Sequence, residues 1–269
     1  MNELAPVSRA RALDRASLRV FLRELYRQAL EHGAHPEFEH YVRSAGANRA
    51  AIDRHVRAFE LYAPYLRADT VVLDWGCRQA VDACLIRHLL GDEVTLEGCD
   101  MHAEGMETFW SYARLNYTPL EDPARLPYQD ATFDMVIGSG VLEHVAREHE
   151  SMNEIYRVLR PDGLFVVTFL PNRYSVTEAL MRLLGSDGAH IRLYRLREIR
   201  DAFLRRGFRV ERCGYHQVFP TFSREVSRRG WTDHAGAALA CLNRPLERVW
   251  PVKLVATNLY LIARRVTYF

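Results

Sequence analysis

Apolar residues recur at helical spacing along the front of the chain and then give way to short continuous runs. Leu18, Phe21, Leu22, Leu25 and Ala29 share one face of a segment that Ser17 is placed to cap and Gly33 to close. A serine hydroxyl satisfies free N–H groups at a helix start, and glycine accepts the left-handed conformation that often ends one. Ile52, Val56 and Phe59 outline a second helix that stops near Pro64. Beyond it, "TVVLD" (70–74), "TLEGCD" (95–100), "FDMVIG" (133–138) and "GLFVVTFL" (163–170) have the length of strands and little polar alternation. Strands of that kind are covered on both faces. "AVDACLIRHLL" and "EHESMNEIYRVLRPDG" between them have helical period, the second with Met152, Ile155 and Leu159 on one face and a stop at Pro161 and Gly163. Strand alternating with helix predicts a parallel, doubly wound α/β sheet.

The remainder extends that pattern. "SVTEALMRLLG" and "LREIRDAFLRRG" read as helices, "FRVERCGYH" as a strand and "NLYLIARR" as a last, edge strand. The helices before residue 67 are too short to bury a core of their own yet carry apolar faces. Residues 1–66 are therefore expected as a helical lid on a core spanning 67–269.

Composition narrows the class. The chain has 269 residues, 48% of them hydrophobic, enough for one large core. Five cysteines without CxxC spacing, and no signal segment at the start, point to reduced thiols in the cytoplasm and to no metal site. No apolar run approaches the roughly 20 residues a spanning helix needs, although contact with a membrane surface stays open. Net charge is +2, but 11 arginines face 4 acids between Arg192 and Arg229. That excess suits an anionic small molecule. It does not suit nucleic acid, since no aromatic motif accompanies it, and arginine supplies every basic residue except Lys253.

In a doubly wound sheet, ligands bind beyond the carboxyl ends of the strands. Asp74 ends the first run, Gly76 begins the turn after it, Asp100 ends the second run, and Gly138, Ser139 and Gly140 end the run that starts at Phe133. An acid at Asp100 suits the two hydroxyls of an unphosphorylated ribose. The turn departs from the usual glycine-rich form, because Arg78 and Ala80 stand where two further glycines are expected.

These blocks resemble the class I S-adenosylmethionine-dependent methyltransferases, in the small-molecule branch that includes the quinone-biosynthesis enzymes. The resemblance runs from about Val71 to Arg264 and is carried most specifically by "FDMVIGSGVLEHV" and "RVLRPDGLFVVTF". It implies a mostly parallel seven-stranded sheet with S-adenosylmethionine as cofactor. It implies cofactor roles for Asp74, Gly76, Cys77, Arg78, Asp100, Met101 and Ser139, and for Asp122 ahead of "RLPY" on the adenine side. The segment at about 172–206 corresponds to the substrate roof.

The chemistry suits those residue types. The cofactor has no phosphates, and its amino-acid end offers an ammonium for Asp74 and a carboxylate for a helix N-terminus near Ala80. An Arg78 of ordinary backbone conformation is expected to point its side chain away from or across the cofactor, where its guanidinium can match a carboxylate. The Asn- or Asp-Pro-Pro-aromatic motif of amino methylation is missing, which favours an oxygen or carbon acceptor. His144, His190 and His216 are the candidate bases. Arg192, Tyr194 and Tyr215 are the candidate acceptor contacts, Arg192 as the grip on an anionic portion. The expected reaction is methyl transfer to a small-molecule, glycan or lipid-linked acceptor. The alternatives are a catalytically silent protein of this kind that binds cofactor or partner only, and a nicotinamide oxidoreductase. The last is weakest, because the missing glycines matter more where a pyrophosphate must approach the backbone.

Overall fold

The structure, a computed structural model, describes residues 13–32, 49–102, 107–183, 192–218 and 245–267, with single positions at 39, 42, 43, 46, 190, 242 and 243. Helices α1 (Arg15–Glu31) and α2 (Arg49–Tyr62) precede the sheet. Then follow β1 (Thr70–Trp75), α3 (Val81–Leu90), β2 (Val94–Asp100), α4 (Glu107–Ala113), β3 (Asn116–Pro119) and β4 (Phe133–Ser139). Next come α5 (Glu148–Val158), β5 (Leu159–Pro171), α6 (Val176–Leu183), α7 (Leu196–Leu204), β6 (Phe208–His216) and β7 (Asn258–Arg265). The seven strands form one sheet in the order β3-β2-β1-β4-β5-β7-β6. The pairs β1–β2, β1–β4, β2–β3 and β4–β5 are parallel, while β7 runs antiparallel to both β5 and β6.

The continuous apolar runs are explained by two layers of cover. Val72, Met135, Ile137, Val166 and Ile262 face α1, α2 and α3, and their neighbours Leu73, Val136, Phe165, Val167 and Leu261 face α5 and α7. Alternate residues of each strand thus enter opposite cores, and no strand of the centre keeps a polar face.

Four local readings change. Asp14 rather than Ser17 caps α1, its carboxylate accepting the Ala16 N–H at 3.0 Å. Gly33 lies outside the described residues. The run "NLYLIARR" is interior, inserted between β5 and β6, and β6 is the edge. Pro161 and Gly163 do more than stop α5: Phe133 pairs with Leu159 and Met135 with Leu164, so Arg160–Gly163 bulge out, with Asp162 left-handed at φ 63°. Strand β3 escaped the pattern because "NYTP" is four residues long and half exposed.

The front helices share the sheet's own apolar cluster. Leu18, Leu22, Leu25 and Tyr26 of α1 and Ile52, Val56, Phe59 and Tyr62 of α2 pack with α3 and the sheet. Arg57 of α2 pairs with Glu247 at 2.6 Å, tying α2 to the segment before β7. The segment after β5 returns to that strand, where the Tyr194 N–H donates to the Pro171 carbonyl at 2.9 Å. Cys77, Cys84 and Cys99 are buried and Cys213 half-buried, all as free thiols, and Cys241 lies outside the described residues. No helix among the described residues is long and apolar enough to cross a membrane.

Because Leu22 is fully buried in this cluster, Leu22→Ala should lower stability by about 2–5 kcal/mol. Val20→Ala, on the 62% exposed neighbour, should stay within about 0.5 kcal/mol of the parent. Urea unfolding distinguishes the two, and an unmoved midpoint for Leu22→Ala would show that α1 is not part of the cooperative core.

Candidate active site

The turn from β1 into α3 keeps a glycine-type backbone with one glycine. Gly76 has φ +67°, and a Cβ there would lie 2.5 Å from Val141 Cγ2, so no side chain fits. Arg78 and Ala80 are also left-handed, at φ 41° and 51°. The conformation costs an L-residue about 1–2 kcal/mol, and surrounding bonds hold it in place. The Gly76 and Cys77 N–H groups donate to the Cys99 carbonyl at 2.7 and 3.2 Å, and Trp110 Nε1 donates to the Arg78 carbonyl at 2.7 Å. The Asp100 carboxylate accepts the Arg78 N–H at 2.9 Å and the His102 N–H at 3.0 Å. Arg78 therefore departs from the ordinary conformation expected of it. Asp100 has a second duty besides any ligand, since it staples the turn to the end of β2.

Beneath the turn lies a buried acidic network. Asp74 ends β1 and Asp82 sits in the first turn of α3, 4% and 6% exposed. Burial pushes the Asp74 carboxyl well above the usual carboxylate range, and the charge of Asp82 adds to it. Burial also raises Asp82, against hydrogen bonds from the Tyr62 and Ser139 hydroxyls that favour its ionised form. Thr168 Oγ1 in turn donates to Ser139 Oγ at 2.8 Å. Among the described residues no cation forms an ion pair with Asp74 or Asp82. Buried carboxylates without a counter-ion are a site for an ammonium group. Met101, 48% exposed, follows Asp100 at the rim. Asp122 is held low, chiefly by the hydrogen bond from Arg147, and its carboxylate accepts the Ala124 N–H at 2.9 Å.

A second polar cluster follows β4. Glu143 Oε1 stands 3.9 Å from His144 Nε2, and the two histidine rings are 6.0 Å apart. His190 Nδ1 meets Glu178 Oε1 at 2.7 Å, while its backbone N–H donates to Glu178 Oε2 at 3.2 Å. That hydrogen bond raises the His190 pKa. Burial lifts Glu178, but the bond and charge of His190 outweigh it and the carboxyl ends below its ordinary value. Burial raises Glu143 to about 7, and burial, then the charge of His190, lowers His144. Val141, two residues before Glu143, packs against Gly76, which makes the turn and the cluster neighbours.

Arg192 Nη1 donates to the carbonyls of Leu142 at 3.1 Å and Val145 at 2.7 Å, and lies 3.5 Å from Glu148. Tyr194 donates to the Leu142 carbonyl at 3.2 Å. Both residues brace the Leu142–Val145 turn that carries Glu143 and His144, and for Arg192 it is Nη1 that makes these contacts. Tyr215 is half-buried near the end of β6, and burial raises its phenol. His216 is 3% exposed, its ring 6.1 Å from Phe169 and its Nδ1 3.8 Å from Glu247.

Four acting side chains went unread: Tyr62, Asp82, Glu143 and Glu178. A signal existed for two of them, because Asp82 and Glu178 are single acids inside apolar helix patterns, and both are buried. The arginine excess after Arg192 is partly spent on Arg195–Glu198 and Arg209–Glu211 pairs, and residues 219–229 lie outside the described residues. A cleft of about 680 Å³ opens at the opposite, amino end of the strands. Two ion pairs cross it, Arg160–Asp134 at 2.7 Å and Arg264–Glu211 at 2.9 Å.

His216 is buried and His55 half-buried, and both are held neutral, with burial as the main cause and pKa values of about 3. Unfolded, each titrates near 6.5. The folded state therefore keeps full stability above pH 6.5 and loses it as pH falls toward 3, because only the unfolded chain takes up the protons, at up to roughly 1.4 kcal/mol per pH unit per histidine. Urea unfolding at several pH values should show His216→Gln with a shallower acid slope than the parent, and equal slopes would contradict the buried, neutral assignment.

Comparison with known proteins agrees with this geometry. Residues 73–167 match the family described as "Methyltransferase domain". A probable S-adenosylmethionine-dependent methyltransferase of Mycolicibacterium smegmatis is 29% identical over 140 residues, 52% of each chain. A ubiquinone/menaquinone biosynthesis C-methyltransferase of Ruegeria sp. is 46% identical over 54 residues, 19% of this chain and 22% of that one. The chain thus spans about half or less of the curated relatives it matches. In fold it is similar to a Haemonchus contortus phosphoethanolamine N-methyltransferase 2 solved with S-adenosyl-L-methionine (TM-score 0.59, 15% identity, 90% of this chain and 60% of that one). A putative Haloferax volcanii methyltransferase complex with its activator gives a TM-score of 0.58 at 16% identity, covering 88% of this chain and 99% of the matched one. The domain match at 73–167 and the sheet order together give a methyltransferase-like fold, and over its central part the chain is similar to S-adenosylmethionine-dependent methyltransferases.

Proposed function

We propose that the protein transfers a methyl group from S-adenosylmethionine to an oxygen of a small-molecule, glycan or lipid-linked acceptor. The observation that carries the reading is the adjacency of two unlike sites at the carboxyl ends of β1, β2 and β4. One is acidic and cradled by Gly76, and the other is the polar cluster of Glu143, His144 and His190. Residues present suit the cofactor: Asp74 and Asp82 for its ammonium, the turn at Gly76–Ala80 for its amino-acid end, and Asp100 for its ribose hydroxyls. When bound, the cofactor supplies a methyl group on an already activated sulfonium, so positioning accounts for much of the rate. The protein's remaining task is to receive the acceptor oxygen and let its proton depart, which the second cluster serves, with Glu178 fixing the orientation of His190. Nothing in this reading requires nucleic acid, and the relatives in quinone biosynthesis favour a small acceptor.

A second reading, a silent binding protein, has one observation in its favour. Arg78 and Ala80 place side chains and backbone strain where the turn would more cheaply hold glycines. The Glu178–His190 pair weighs against it, since a protein that only binds has no need of a histidine oriented by a buried carboxylate.

Asp100→Ala should weaken S-adenosylmethionine binding by about 1.5–3 kcal/mol, the scale for hydrogen bonds to a charged acceptor. His190→Ala should leave that affinity in place and lower kcat toward acceptors drawn from a metabolite pool. Calorimetry with the cofactor and a radiolabelled methyl-transfer assay read the two effects separately. Unchanged affinity in Asp100→Ala removes the ribose assignment, and cofactor binding without transfer to any acceptor supports the silent reading.

A further inference from the structure

We propose that Glu143, His144 and His190 form a binding site for a divalent transition metal, with Glu178 as the outer carboxylate that orients His190. One donor atom from each of the three residues lies within 4.8 Å of the other two. A metal at about 2.0–2.2 Å from each ligand sets neighbouring donors roughly 3–3.5 Å apart. The cluster therefore closes onto an ion with shifts of about an ångström, available to the exposed ring of His144. Two imidazoles and one carboxylate suit zinc, manganese, iron or cobalt better than calcium or magnesium, which prefer oxygen donors alone.

Three independent features point the same way. Glu143 is buried, its side chain 3% exposed, and its Oε2 has no hydrogen-bond partner. A buried, unpartnered carboxylate oxygen is costly unless something cationic meets it. Glu178 engages Nδ1 of His190, which leaves Nε2 as the nitrogen for a ligand, and a carboxylate on the far nitrogen is the usual support of a metal-bound histidine. The turn carrying Glu143 and His144 is braced by Arg192 and Tyr194 on its carbonyls.

Three protein ligands leave a position open. The role of that position rests on the methyl-transfer reading. An acceptor hydroxyl placed there loses its proton to water, because the cation stabilises the oxygen's negative charge. The oxygen then forms a bond to the methyl carbon as the carbon–sulfur bond breaks, and the sulfur leaves as a neutral thioether.

The full chain, stripped with chelator, is titrated with zinc chloride and with manganese chloride, alongside elemental analysis. One metal per chain is expected. His144→Ala and Glu143→Gln should each weaken it more than 10-fold, Glu178→Gln should weaken it about 10- to 100-fold, and His149→Ala, outside the cluster, should match the parent. His144 is exposed, so its variant folds and keeps the test decisive. Cobalt loaded in place of zinc should show a visible spectrum altered by Glu178→Gln, which a merely structural glutamate would not change. Substoichiometric binding, or equal affinity in parent and His144→Ala, overturns the site. If stripped protein binds radiolabelled S-adenosylmethionine and transfers methyl at the full rate, the catalytic role of the metal falls while the methyltransferase reading stands. If zinc binds as expected and the cofactor does not, the metal site stands and its part in methyl transfer falls.

Discussion

The uncompensated negative charge at Asp74 and Asp82 is the constraint around which the site is organised. Two carboxylates buried within reach of each other's field cannot both ionise freely, and burial raises both. The fold accepts this cost at the junction of β1 and α3 and surrounds it with hydroxyls from α2, β4 and β5. Tyr62 donates to Asp82, Ser139 bonds to it, and Thr168 holds Ser139. A network drawn from four elements adds to the apolar packing of Phe59 and Tyr62 that holds α2 against the sheet. An ammonium group completes such a network, whereas an apolar ligand would leave it unsatisfied.

The turn above this network shows how a glycine motif can survive loss of its glycines. Left-handed backbone at Arg78 and Ala80 is unfavourable locally and is imposed by bonds from β2 and α4, through Asp100, Cys99 and Trp110. Only Gly76 is irreplaceable on steric grounds, because Val141 occupies the space its side chain would need.

Much of the fold was legible because burial on both faces writes continuous apolar runs, and β1, β4 and β5 carry them, while β2 alternates buried with more exposed residues. What escaped was set by tertiary contacts rather than local pattern. Strand β3 has too few apolar residues to be seen, and β7 reads as an edge strand until its antiparallel pairing with both β5 and β6 is known. On the site, the acids at strand ends stood out, since Asp74 and Asp100 interrupt or end apolar runs. The conformation of Arg78 was hidden, because residue type alone argues against it. Arg192 also anchors the Leu142 and Val145 carbonyls through Nη1, a contact no spacing rule announces. Glu178 and His190 are 12 residues apart and meet only because the chain returns to the end of β5.

The division of labour is therefore between a strained turn over buried acids and a braced polar turn after β4, with Val141 packed against Gly76 where the two meet. The central claim is that the buried acids receive the cofactor's ammonium, and removing their charge while keeping their shape tests it most directly. Calorimetric titration with S-adenosylmethionine should show Asp74→Asn and Asp82→Asn each binding roughly 10-fold or more weakly than the parent, the scale of a hydrogen bond to a charged group. Affinities in both variants equal to the parent's would contradict the account.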